Sequence, residues 1–392
     1  MKRSLALLPM LALAACSDNV DSVTGARPAP EAPVLAASGN ALPGSYMVIL
    51  KEGANPRSVA AVAGVSPRYV YTAAVNGFAG TLNAGQLNAL QHNPAVAYIE
   101  QDGIAAKTTT QLGATWGLDR IDQAGATLNG SFTYGNTGLG VTAYIIDTGI
   151  DTGHSEFVGR VSAASFDAFN DGFDDCDGHG THVAGTVGGT TYGVAKGVTL
   201  VRVRVLDCAG SGSWSGVVAG IDWVVSHHAA GTPASANMSL GGGASTTVDA
   251  AVNRMIDDGV SSSVAAGNGN MGGREQDACN YSPARVPRAI TVGATTKADA
   301  KTTWSNYGAC VDFFAPGSGI TSAWIGAGAT ETNTISGTSM ASPHVAGVAA
   351  LYLQSNPTAT PVQVRDALYA ATTKGVVTSS RTANNHLLFT AF

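Results

Sequence analysis

Five short runs rich in apolar and β-branched residues recur along the chain: VTAYIID, TLVRVRVLD, ANMSL, VSSSVAAG and AITVGA. They are too short for helices and carry apolar residues on both faces, which predicts strands buried on both sides. Between and after them, apolar residues recur at helical spacing in GTHVAGTVGG, SGVVAGIDWVVSHHAA, VDAAVNRMIDDG and SMASPHVAGVAALYLQSNP. Strands of this kind alternating with helices predict an α/β domain over residues 107–392, with a mainly parallel sheet sandwiched by helices. Ligands of such sheets sit beyond the carboxyl ends of the strands.

Upstream the pattern changes. YMVIL, a helical stretch near Ser58 to Val62, RYVYTA, NGFAGTL, AGQLNALQHN and AVAYIEQD follow one another. They predict a small β-α-β-β-α-β domain of the ferredoxin-like α+β type over residues 44–106. Residues 17–43, rich in Pro and Ala with no sustained period, predict a flexible tether. Residues 1–16 place Lys2 and Arg3 before an apolar run from Leu5 to Ala15, a signal-peptide layout too short to span a bilayer. The run ends in LAAC, which resembles a bacterial lipobox. Cys16 is therefore a candidate for acylation, and the chain is expected outside the cytoplasm, as a secreted or cell-envelope protein whose precursor is lipid-anchored.

Composition narrows the partners. With 45% hydrophobic and 12% charged residues, the chain can build deep cores and is not a disordered polyelectrolyte. A net charge of -6 offers no basic footprint, so nucleic acid is not an expected partner. Of five cysteines, Cys16 falls in the signal; Cys176, Cys208, Cys279 and Cys310 remain, an even set suited to two disulfides with three connectivities open. None of their spacings resembles a zinc site.

Three phrases carry chemistry at the ends of elements. IIDTGID puts Asp147 at the carboxyl end of a buried strand. DGHGTHVAG sets His179 between two glycines before a helix, and GTSMASPHVAG sets Ser339 at the mouth of another. A serine hydroxyl is a poor nucleophile unless a base takes its proton, and the base in turn needs a group that fixes its tautomer. Ser339, His179 and Asp147 supply those roles, while His182, one turn along, is expected to be structural.

These three motifs, in the order Asp, His, Ser across roughly residues 110 to 385, closely resemble the subtilisin-like serine peptidases, particularly the proteinase K subgroup. The resemblance implies an endopeptidase acting through an acyl-enzyme on protein and peptide substrates. Asn268 and the Ser339 N–H would form the oxyanion hole. Gly210, Ser211 and Gly212 would make one substrate edge, and Ser239, Leu240, Gly241 and Gly242 the other. Ala265, Ala266 and Gly267 would line a roomy, uncharged primary pocket with an aliphatic or aromatic preference, and Trp214 would wall a more distant one. Residues 44–106 would be the inhibitor-type propeptide, an intramolecular chaperone removed by self-cleavage near Ala105 to Thr115. The family pairs Cys176 with Cys208 and Cys279 with Cys310. It also implies structural calcium: at Asp312 with the carbonyls of Pro287 and Ala289, at Asp119, Asp122 and Gln123, and at the acidic loop of Asp171, Asp174 and Asp175. No organic cofactor is expected. The competing class is a silent peptide-binding lipoprotein; competent residues at all four catalytic positions argue against it.

Overall fold

A computed structural model describes residues 31–36, 41–103, 108–172 and 174–392. Cys16 and the expected signal lie outside these residues. The chain divides into two units, with the division after Gly103.

The smaller unit holds β1 (Val34–Leu35), β2 (Ala41–Leu50), α1 (Pro56–Val62), β3 (Tyr69–Tyr71), β4 (Gly77–Thr81), α2 (Ala84–Gln91) and β5 (Val96–Gly103). Its sheet runs in the order β1-β5-β2-β4-β3. From β2 to β5 this is the expected β-α-β-β-α-β unit. Val48, Phe78, Leu90 and Ile99, all fully buried, form its core. Helix α2 starts on a reciprocal cap in which the Asn83 side chain accepts from the Gln86 N–H and the Gln86 side chain accepts from the Asn83 N–H. One expectation needs correcting. Part of the stretch read as tether is ordered, because Val34–Leu35 pairs in parallel with Ile99 and Glu100. That pairing covers the backbone edge that β5 would otherwise present to water.

The larger unit opens with β6 (Thr109–Leu112), α3 (Trp116–Ile121) and β7 (Ser131–Tyr134), the two strands pairing antiparallel. Its main sheet is built from β8 (Thr142–Asp147), β9 (Phe166–Asp167), β10 (Thr199–Arg204), β11 (Ala234–Met238), β13 (Val260–Ala265), β15 (Ile290–Thr295) and β16 (Phe313–Pro316). The order is β16-β15-β13-β11-β8-β10-β9, with every pairing parallel. Two small antiparallel pairs, β12 (Gly242–Gly243) with β14 (Tyr281–Ser282) and β17 (Ile320–Ala323) with β18 (Thr332–Ile335), flank it. The helices are α4 (His179–Gly188), α5 (Trp214–His227), α6 (Thr246–Asp257), α7 (Thr338–Ser355) and α8 (Pro361–Ala371).

The period of β8 explains the layering. Ala143 and Ile145 belong to a core with Val183 and Val187 of α4 and Val345 and Val348 of α7. Tyr144 and Ile146 point the other way, to a core with Val217 and Ile221 of α5 and Val252 of α6. Alternate residues thus serve opposite helical layers, which is why the run shows no polar alternation. The sheet order sets β8 and β11 at its centre, so residues following their carboxyl ends meet the N-termini of α4 and α7.

Candidate functional site

Asp147 is the last residue of β8 and is fully buried. Its Oδ1 accepts from the Thr148 N–H at 2.8 Å and lies 2.7 Å from His179 Nδ1. His179 opens α4. A close backbone approach sets this distance: a Cβ on Gly180 would stand 2.2 Å from the Gly149 carbonyl oxygen, so only glycine lets the turn after β8 touch the first turn of α4. The Gly180 N–H donates to Thr148 Oγ1 at 2.8 Å, which closes the same junction. Asp175 ties it from a third side. It accepts from Thr148 Oγ1 at 3.0 Å, from the Gly178 N–H at 3.0 Å and from the Thr181 N–H and Oγ1 at 3.0 and 2.6 Å.

Burial draws the His179 pKa down, but the charge and hydrogen bond of Asp147, with Asp177 and Asp175 nearby, outweigh it and raise the imidazole above its ordinary value. His182 and His344 sit deeper, and burial pushes each down to about 4. They are neutral core histidines. His182 bonds the Ile320 carbonyl at 3.0 Å, in keeping with its expected structural part.

Ser339 lies in the first turn of α7, so its N–H has no partner within the helix. Its hydroxyl donates to the Ser239 carbonyl at 3.2 Å, and Ser239 Oγ donates back to the Ser339 carbonyl at 2.7 Å. The side chain of Asn268 is oriented by Thr338, whose N–H and Oγ1 both donate to Asn268 Oδ1 at 2.8 Å. With its oxygen held there, the Asn268 Nδ2 is the donor left for the cleft.

That cleft, of about 700 Å³, is lined by His179, Ser339 and Asn268. The residues expected at the substrate edges and pockets all line it: Gly210, Ser211, Gly212, Trp214, Ser239, Leu240, Gly241, Gly242, Ala265, Ala266 and Gly267. Asp147 stands behind His179, away from the lining. Cys176 is joined to Cys208 and Cys279 to Cys310. The first bridge links the approach to α4 with the turn that leads to Gly210.

Sequence reasoning missed two supporting residues. Thr338, inside the GTS phrase, orients Asn268. Asn306 braces the loop that carries it. The Asn306 Oδ1 accepts from the Gly269 and Gln276 N–H groups at 3.0 and 2.9 Å, its Nδ2 donates to the Ala266 carbonyl at 2.9 Å, and its N–H donates to the Gly267 carbonyl at 2.9 Å. The only sequence signal was an amide between polar neighbours in WSNYG.

The expected calcium positions separate into those that suit a hard cation and those that do not. Asp122 suits one. Its Oδ1 is buried without a hydrogen-bond partner, while Asp119 accepts from Gln123 Nε2 and the Asn129 N–H at 3.1 Å and from the Gly130 N–H at 2.7 Å, so Asp122 alone offers a vacant oxygen. At Asp312 a guanidinium stands where the ion is expected. Arg365 pairs with Asp312 through Nε at 3.1 Å and through Nη2, and its Nη1 donates to the Pro287 carbonyl at 2.8 Å. The acidic loop is engaged in the same manner. Arg204 pairs with Asp171, Arg202 pairs with Asp174, and Asp175 is used at the head of α4. Among the described residues, no three His, Cys, Asp or Glu side chains converge as metal ligands.

The family model of the subtilase family matches residues 138–388, and that of peptidase inhibitor I9 matches residues 45–106. An extracellular serine proteinase of Thermus sp. (strain Rt41A) is 51% identical over 98% of this chain and 98% of its own length. Alkaline serine exoprotease A of Vibrio alginolyticus is 51% identical over 82% of this chain and 59% of its own. A crystal structure of a cold-adapted subtilisin-like serine proteinase matches with a TM-score of 0.67 and 52% identity, covering 71% of this chain and 99% of that one.

Proposed function

The chain belongs to the subtilase family, as an extracellular subtilisin-like serine proteinase with an I9 propeptide, and on that premise we propose that Ser339, His179 and Asp147 cleave peptide bonds through an acyl-enzyme. The observation that carries this reading is the 2.7 Å contact between His179 and a fully buried Asp147, in a molecule whose cleft also exposes Ser339 and Asn268. The mechanism requires the Ser339 hydroxyl to leave the Ser239 carbonyl and turn to the imidazole that lines the same cleft. His179 Nε2 takes the proton as Ser339 Oγ attacks the scissile carbonyl. The Nδ1–H stays on His179 and donates to Asp147, which fixes the tautomer and stabilises the imidazolium. Asn268 Nδ2 and the Ser339 N–H receive the oxyanion. His179 then protonates the leaving amine, and water repeats the sequence in reverse to free the acid.

The lining of Ala265, Ala266 and Gly267 carries no charge and little bulk, which favours an aliphatic or aromatic side chain before the cleaved bond. Residues 44–106 act as the inhibitor of the precursor, and self-cleavage falls between Ala105 and Thr115. An acyl group on Cys16 would remain on the propeptide side of that cut. Calcium, when bound, would be held by Asp119, Asp122 and the Gln123 side chain, and would supply charge to a loop whose buried carboxylate oxygen otherwise lacks a partner.

The test is peptide mass mapping after treatment with a fluorophosphonate. A phosphonyl group on Ser339, with a new N-terminus between Ala105 and Thr115, is the expected result. A folded chain, freed of its propeptide and unlabelled at Ser339, would refute the assignment.

A further inference from the structure

We propose that Arg365 takes the place of a calcium ion: its guanidinium is a built-in cation tying Asp312 to Pro287, and no divalent ion enters between them. Both Asp312 oxygens and the Pro287 carbonyl are already engaged. Asp312 Oδ2 accepts from the Thr291 N–H at 2.8 Å, and Oδ1 accepts from Arg365 Nε and Nη2. The Pro287 carbonyl accepts from Nη1. Calcium needs six to eight oxygens facing it. Here the carboxylate and the carbonyl both face N–H hydrogens of a group that never deprotonates. One negative charge is matched by one positive charge, and a dication added beside them would meet the guanidinium at contact distance.

The contrast with Asp122 is internal to the molecule. There a buried carboxylate oxygen has no partner; at Asp312 both oxygens are satisfied.

The consequence is mechanical. Residues 281–289 carry Tyr281, Ser282 and Ala284 to the wall of the cleft. Arg285 reaches out from this stretch to Asp249 at 2.6 Å, and Arg288 to Asp257 at 2.6 Å, both on α6. Arg365 reaches in from α8. Thr291, which bonds Asp312, also donates through Oγ1 to the Ala284 carbonyl at 2.8 Å. The stretch is thus staked from two helices by guanidinium groups.

The experiment is a calcium count by equilibrium dialysis on the purified protein, inhibited against autolysis and stripped with EDTA, beside melting curves in EDTA at one scan rate. Asp312→Asn is expected to bind as many calcium ions per chain as the unsubstituted protein; one ion fewer overturns the proposal. Arg365→Gln is expected to melt lower in EDTA, by about 3 °C or more. An unchanged melting temperature overturns it as well, and this variant carries the test if Asp312→Asn does not fold.

Discussion

His179 Nδ1 lies 2.7 Å from Asp147 Oδ1, with the carboxylate wholly buried and the imidazole 24% exposed. The pair therefore sits at a boundary, with the carboxyl group shielded from water and the imidazole open to the cleft. If His179 is the base of the proposed mechanism it acts as neutral imidazole, and since Asp147 raises its pKa, kcat/KM should fall as pH drops through a value above the ordinary ~6.5 of histidine. Asp147→Asn should lower turnover on the order of 10⁴-fold and move that acid limb to lower pH. A pH–rate profile whose limb does not move would separate Asp147 from the base.

Asn306 is expected to act on turnover through the loop it braces. Asn306→Ala should lower kcat by about tenfold or more with KM changed by less than about threefold, since the oxyanion donor proposed at Asn268 would serve the transition state. Turnover is to be expressed per titrated active site, so that misfolded protein does not count. Equal losses in kcat and in titratable sites would mean that Asn306 supports only the fold.

Gly180→Ala should abolish mature enzyme. The added Cβ meets a backbone oxygen at 2.2 Å, and neither strand end nor helix can yield without separating Asp147 from His179. Expression followed by gel analysis is expected to show precursor without the processed chain. Normal processing would disprove the tight junction.

His182 and His344 set an acid limit. Both are held neutral by burial, at about 4, whereas the unfolded chain protonates them near 6.5. Between those values the unfolded state binds more protons, so stability is full above about pH 6.5 and is lost as pH falls toward 4, by roughly 2–3 kcal/mol for each histidine at pH 4.5. Denaturant midpoints of the inhibited enzyme at pH 7 and 4.5 measure this. A midpoint independent of pH across that range would contradict it.

Much of this was legible in the residues, and the exceptions have physical reasons. The strands β8, β10, β11, β13 and β15 announced themselves because they are buried on both faces. Edge strand β16 was not read as a strand: FFAP is short and ends in proline. Helix α8 leaves a faint signal because PVQVRDALYAA buries only Val364 and Leu368. The motif residues Asp147, His179 and Ser339 stood out by their contexts. Thr338, Asn306 and Arg365 did not, since their importance comes from partners remote in the chain. Arg365 is the sharpest case, because its contacts with Asp312 and Pro287 join residues 53 and 78 positions apart in the chain.

The sheet order has one further consequence, and it concerns timing. Asp147 arrives on β8, early in the larger unit, whereas Ser339 arrives on α7, which packs against β11, β13 and β15 and is synthesised after all of them. A chain that ends before α7 carries Asp147 without Ser339. In the proposed mechanism the nucleophile therefore reaches Asp147 and His179 only when α7 docks.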